Sequence, residues 1–197
     1  MISVIGDSFT SGCGYIPWCD LLQEKLNTKV VNLNRPDIDT PYVNGTSSNF
    51  EMMECIERFE MILKVSDLFI FQWTAPLRDD EHIRADSPSN LSINYEKREV
   101  QLLNDVWNRL EPLKINCPMI FWSWCDFSHL DKMSLSWYHR YNCGIKWDYN
   151  PKLVTYDGHP NQDGHEWISE KILSFIKKKN YLLNRKEINR CPTETII

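Results

Sequence analysis

The chain has little of what would make it a membrane protein, a nucleic-acid binder or a disulfide scaffold. No apolar run approaches the roughly 20 residues that a membrane span requires; the longest, such as Leu68 to Phe71, are strand-sized. Positive charge is not in excess, since 22 Lys plus Arg stand against 27 Asp plus Glu for a net charge of -5. That balance argues against a sequence-independent grip on nucleic acid. The seven cysteines are odd in number and scattered, with no CxxC pair, so reduced thiols are expected rather than a disulfide framework or zinc site. Cys125 with His129, and His159 with His165, lack the paired spacing of zinc ligands, and no metal is expected. The start, Met1-Ile2-Ser3-Val4-Ile5, has neither the charged head nor the long apolar middle of a secretory signal, which leads us to expect a cytoplasmic protein. No repeat or low-complexity stretch interrupts the chain.

What is present is enough for one folded core. The 197 residues are 42% hydrophobic and 12% aromatic, as expected of one soluble domain. Short apolar runs alternate with longer segments of helical period. Ile2 to Ile5, Lys29 to Leu33, Asp67 to Trp73 and Pro118 to Trp124 read as buried strands, with Lys152 to Tyr156 as a weaker fifth. Such continuous apolar strands suit a parallel sheet covered on both faces. The expected architecture is a three-layer αβα sandwich around a parallel, flavodoxin-like five-stranded sheet. Pro17 suits the first position of a helix carrying Trp18, Leu21, Leu22 and Leu26 on one face. Ser48 and Glu51 form a capping box for a second helix, striped by Met52, Ile56, Phe59 and Leu63. A third spans about Tyr95 to Leu113. Asp163 with Glu166 signals the start of a last helix, which closes on Lys177 to Lys179. From Tyr181 the period is lost, so the domain is expected over 1–180 and a tail over 181–197.

Two loops carry the chemistry. The first strand runs into Gly6-Asp7-Ser8, which puts a serine at the carboxyl edge of the sheet, where open α/β folds bind ligands. Tyr156-Asp157-Gly158-His159-Pro160-Asn161 precedes the last helix at the same edge. A serine hydroxyl becomes a nucleophile when a histidine takes its proton, and a carboxylate can orient that histidine. Ser8, His159 and Asp157 supply the three types. Each block alone also reads as an ordinary turn.

Together the two blocks resemble the SGNH hydrolases, the GDSL esterase family, over about residues 2 to 176. Gly6-Asp7-Ser8 matches the block that holds the family's nucleophile, and His159-Pro160-Asn161 with Gly164-His165 matches its histidine block. The segment Val43-Asn44-Gly45-Thr46-Ser47-Ser48-Asn49 is similar to the block that gives a glycine amide to the oxyanion hole. The resemblance therefore implies Ser8 as nucleophile, His159 as base, and the Ser8 and Gly45 amides as oxyanion donors, with no cofactor. Two departures stand out. Where the family has Gly-x-Asn-Asp, this chain has Gln72-Trp73-Thr74-Ala75, which makes Thr74 the candidate third donor. Asp157 lies two residues before the histidine rather than three, so a Ser8-His159 dyad is open beside the triad. Trp73 and Arg78 are candidate substrate contacts.

The ring-dense stretch from Phe121 to Tyr149 either covers the sheet or lines the pocket. The implied activity is hydrolysis of an ester, such as an acetyl group on a carbohydrate or similar polyol. The partner is then a small-molecule or glycan ester, without nucleic acid or membrane. Two alternatives are a weak or inactive binding module of the same fold, suggested by the missing asparagine, and a flavodoxin-like nucleotide binder. The first turn lacks the phosphate-cradling glycines that the nucleotide binder needs.

Overall fold

Four of the apolar runs form one parallel sheet: β1 (Ile2–Ile5), β2 (Val30–Asn32), β3 (Leu68–Trp73) and β4 (Met119–Ser123), in the order β2-β1-β3-β4. The computed structural model describes residues 1–34, 48–58, 60–76, 95–114, 117–147 and 149–182. Pairing Ile5 with Phe71, and Phe71 in turn with Phe121, brings the carboxyl ends of three strands to one level. Successive side chains of a strand face opposite ways, and β3 shows the result. Phe69, Phe71 and Trp73 enter one apolar cluster, while Leu68 and Ile70 enter the other.

The first cluster is covered by α3 (Asn49–Arg58), α4 (Glu60–Val65), α5 (Tyr95–Leu110) and α6 (Ser136–Tyr141). The second is covered by α2 (Trp18–Leu26) and α7 (Gln162–Lys179). Between β1 and α2 lies the single turn of α1 (Ser8–Ser11). Both sheet faces are thus covered, as their mainly apolar sequences require. Complete burial of residues such as Phe69, Phe71 and Ile70 contributes about 1.5–3 kcal/mol each. The capping box is present: the Ser48 amide donates to Glu51 Oε2 at 2.6 Å and the Glu51 amide to Ser48 Oγ at 3.3 Å. The last helix is capped by Asn161, whose Oδ1 accepts from the Gly164 amide at 2.9 Å. Asp163 instead occupies its first turn.

The sheet corrects the expected strand number from five to four among the described residues. Lys152 to Tyr156 folds back on the segment after it. The Thr155 amide bonds to the His159 carbonyl at 2.8 Å, the Asn161 amide to the Leu153 carbonyl at 3.0 Å, and Val154 bridges Pro160 antiparallel. Its backbone groups are satisfied by this local pairing instead of by a sheet ladder, while Leu153 and Val154 still pack against the second cluster. The position beside β4 is taken by the chain after α6, where the Cys143 amide reaches the Phe121 carbonyl at 2.9 Å. The ring-dense stretch is chiefly core: Phe121, Trp122, Trp137 and Tyr138 are buried, and Trp137 stacks on Trp107 at 4.9 Å with planes 2° apart. The expected tail lies outside the described residues apart from Tyr181 and Leu182.

Candidate active site

Gly6 leaves β1 where there is no room for a side chain. A methyl group there would overlap Thr10 Oγ1 and stand 2.5 Å from Gln72 Oε1, which only glycine avoids. Asn34, just past β2, fixes the same peptide on both sides: its Oδ1 accepts from the Gly6 amide at 2.8 Å and its Nδ2 donates to the Gly6 carbonyl. Asp7 follows and caps α1 by accepting from the Phe9 amide at 3.0 Å. Ser8 is therefore the first residue of a pinned turn rather than part of a free loop.

Asp7 is fully buried, and buried carboxylates need donors. Besides the Phe9 amide it accepts from Gln72 Nε2 at Oδ1 and from Trp124 Nε1 at Oδ2, the latter at 2.7 Å. Gln72 in turn accepts from Thr10 Oγ1, which accepts from Trp18 Nε1 at 3.3 Å. One carboxylate thus joins the ends of β1, β3 and β4. None of these roles was read from the sequence. The legible signal was Gln72, the polar residue of an otherwise apolar strand.

The two loops of interest meet. Ser8 Oγ lies 2.8 Å from His159 Nε2 across 151 positions of sequence, within the range for proton transfer. His159 Nδ1 lies 3.2 Å from Asp157 Oδ2, at ion-pair distance but without hydrogen-bond alignment. Asp157 is half exposed. The hydroxyl of Thr155, together with the amide and ring of His159, holds its carboxyl below the usual range. Asp157 thus stands beside the imidazole but solvated, unlike the buried aspartate of a full triad. On its other side His159 meets Phe9, with ring centroids 5.5 Å apart. Phe9 is itself packed by Trp124, stacked at 5.4 Å and 9°, and by Trp147, edge-on at 5.5 Å and 81°.

Thr74 follows β3 and is fully buried, its Oγ1 without a hydrogen-bond partner. Its backbone is held from both sides by Asn49: the Thr74 amide donates to Asn49 Oδ1 at 2.9 Å and Asn49 Nδ2 donates to the Thr74 carbonyl at 3.2 Å. Buried polar atoms are rarely left unpaired, which makes this hydroxyl an exception among the described residues. Gly45 and Arg78 lie outside the described residues. Trp73 is not at the cleft. It is fully buried against Phe71, Phe121 and Trp137, because it shares the strand face of Phe69 and Phe71. This corrects the expectation of a substrate contact, and the same alternation was readable from the sequence.

His165 is also in the core, fully buried beside Tyr15, with neither ring nitrogen hydrogen-bonded. Burial pushes its pKa down to about 4, against a weaker pull from the Gly12 backbone and with a further push from nearby His159. A cavity of about 260 Å³ opens beyond β4, lined by Phe127, Tyr138, Asn142, Ile145, Lys146 and Trp147 among others. Trp147 links its wall to Phe9. Exposed tyrosines, Tyr15, Tyr149 and Tyr156, lie on the loops flanking Ser8 and His159. No group of three or more His, Cys, Asp or Glu suited to a metal occurs among the described residues, and no described helix is long and apolar enough to cross a membrane.

In comparisons with known proteins, no family model matches the chain, and no curated protein matches it in sequence. Solved structures do match. The lipase Lip_vut3 from a goat rumen metagenome superposes with a TM-score of 0.56 at 13% identity, over 88% of this chain and 96% of that one. An acetyl xylan esterase, Est2A, from the rumen bacterium Butyrivibrio proteoclasticus superposes with a TM-score of 0.58 at 12% identity, over 92% of this chain and 64% of that one. At such identities the likeness establishes the α/β fold, a parallel sheet flanked by helices.

Proposed function

We propose that the chain is a serine esterase of the SGNH type that releases a small acyl group, such as acetyl, from a carbohydrate or similar polyol. The observation that carries this reading is the 2.8 Å contact between Ser8 Oγ and His159 Nε2 at the carboxyl edge of the sheet, where such folds bind ligands. The fold shared with a lipase and an acetyl xylan esterase supports it.

In this mechanism His159 takes the Ser8 proton as Oγ attacks the ester carbonyl, and the carbonyl oxygen becomes an oxyanion. The donors proposed for it are the Ser8 amide, the Gly45 amide and the Thr74 hydroxyl. A donor lost from such a hole costs about 2.7–4 kcal/mol, which is why the unpartnered Thr74 Oγ1 bears on the rate. His159 then returns the proton to the leaving alcohol, and an acyl group stays on Ser8. Water, deprotonated by His159, attacks that acyl-enzyme. A carboxylic acid leaves and Ser8 is restored. No cofactor enters any step. The exposed rings of Tyr15, Tyr149 and Tyr156 on the loops flanking Ser8 and His159 support a substrate with flat faces such as a sugar ring.

Fluorophosphonate labelling of the folded protein, read by peptide mass spectrometry, tests the reading. Ser8 should be modified in the native chain but not after heat denaturation, and Ser8→Ala and His159→Ala should both lose labelling and esterase turnover while melting near wild type. An unlabelled but folded wild type would overturn it and favour a binding module of the same fold.

A further inference from the structure

Resting on that serine-esterase reading, we infer that Asp7, Trp124 and Phe9 form a positioning unit for the base, and that His159 is held chiefly by ring packing rather than by Asp157.

The geometry divides the work unequally. Asp157 lies in water, is engaged by the Thr155 hydroxyl, and faces Nδ1 without hydrogen-bond alignment. Water screens an ion pair at such a site and leaves little energy to fix the imidazole. Phe9 is almost fully buried and meets the imidazole from within the fold. Its own ring has little freedom, because the Trp124 indole lies flat against it and the Trp147 indole meets it edge-on. Offset-stacked and edge-to-face pairs at these centroid separations are the favourable aromatic geometries.

What keeps Trp124 flat is its Nε1–H bond to Asp7 Oδ2. The same carboxylate, through Oδ1, caps the turn that begins with Ser8. Asp7 therefore sets the nucleophile through the backbone and the base through two rings. Trp124 and Phe9 act through Asp7 and the His159 ring, so they are positioning residues.

Three variants and two readouts test the inference. Phe9→Leu keeps an apolar side chain but removes the ring, and should lower kcat about 30-fold with KM within about twofold, since misplacement near 1 Å costs about 100-fold. Trp124→Phe retains a stacking ring without the N–H donor, so its loss should be smaller, about threefold to tenfold. Asp157→Asn should cost about threefold, far from the roughly 10,000-fold loss in a triad whose buried aspartate is altered. The independent readout is NMR of the His159 ring in the uninhibited protein: cross-relaxation between the Phe9 and His159 ring protons, and ring ¹⁵N shifts that report the tautomer. These should be retained in Asp157→Asn. In Phe9→Leu the His159 ring signals should broaden or split while the chain stays folded, its melting temperature lowered by a few degrees as for other shortened core side chains.

A loss above about 1,000-fold in Asp157→Asn, or full kcat with an unchanged His159 spectrum in Phe9→Leu, would overturn the inference. If the wild type neither labels at Ser8 nor turns over esters, the function reading fails. The NMR comparison still decides whether the rings hold the imidazole.

Discussion

Lowering the pH should weaken this protein through His165 before its carboxylates begin to titrate. The ring is fully buried without a hydrogen-bond partner, and its pKa is pushed down to about 4 from the ordinary 6.5. The unfolded chain takes up the proton near 6.5, the folded chain only near 4. Between those values the unfolded state holds more protons, so stability falls as pH falls through this window. Above about pH 7 both states are neutral and the residue contributes nothing to pH dependence. The drop from 6.5 to about 4 corresponds to roughly 3 kcal/mol, of which about 2 kcal/mol is already lost at pH 5.

That loss is a sizeable share of a typical 5–15 kcal/mol, and in a chain of this length it lowers the melting temperature by about 4–8 °C. Urea unfolding at pH 7.5 and pH 5, on wild type and His165→Leu, measures it. The variant removes the titration, so the fall in stability should shrink by about 2 kcal/mol. Two other groups shape the curve. His129, raised by its hydrogen bond to Glu99, adds stability below its folded pKa and loses it as pH rises through that value, which opposes His165. Because that pair is exposed its effect is small, and it is common to both proteins. Carboxylates held low, such as Asp126 and Glu57, lose their contribution only at lower pH. An identical fall in wild type and His165→Leu would refute the assignment.

The two other predictions concern how loops are held. Gly164→Ala places a methyl group against the Leu153 carbonyl oxygen and 3.0 Å from Pro160 Cβ. Since a backbone atom cannot step aside as a side chain can, we expect a loss of about 1–3 kcal/mol by thermal or chemical unfolding and at least a tenfold fall in kcat as the His159 loop shifts. Asn49→Ala leaves the buried Thr74 amide and carbonyl without their partner, at a cost of about 2–4 kcal/mol in unfolding. In ester-hydrolysis kinetics its kcat should fall with KM little changed; undiminished kcat would show that Thr74 has no part in the oxyanion hole.

The sequence disclosed elements whose physics is local. Each of the four strands was readable within a residue or so because a strand covered on both faces is apolar along most of its length. The capping box of Ser48 and Glu51 was readable because both partners lie within one turn. Ser8 and His159 were readable as a candidate pair, since few other residue types can serve, and the fold brings them within hydrogen-bond distance. The fifth strand failed because Lys152 to Tyr156 is balanced between strand and turn, and the nearby His159 and Asn161 backbone settled it toward the turn. Trp73 misled because its chemistry suggested a cleft residue while its strand parity placed it with Phe69 and Phe71. The Asp7, Gln72 and Trp124 contacts span 65 and 117 positions, and only the sheet register brings them together.

That register also explains why so much polar bonding collects at one edge of the sheet. Beyond the last paired residues a strand has no ladder to hold it, and apolar packing alone tolerates shifts that would separate Ser8 from His159. Here each strand end is tied sideways: Asn34 to Gly6, Gln72 to Asp7, Asn49 to Thr74, and Ser123 Oγ to the Trp73 carbonyl at 2.8 Å. Each tie contributes only about 0.5–1.5 kcal/mol net, little beside the apolar layers. A directional bond, however, fixes position where non-directional burial does not. The core thus accounts for stability, and the row of side-chain bonds for the placement of the strand ends that carry the serine.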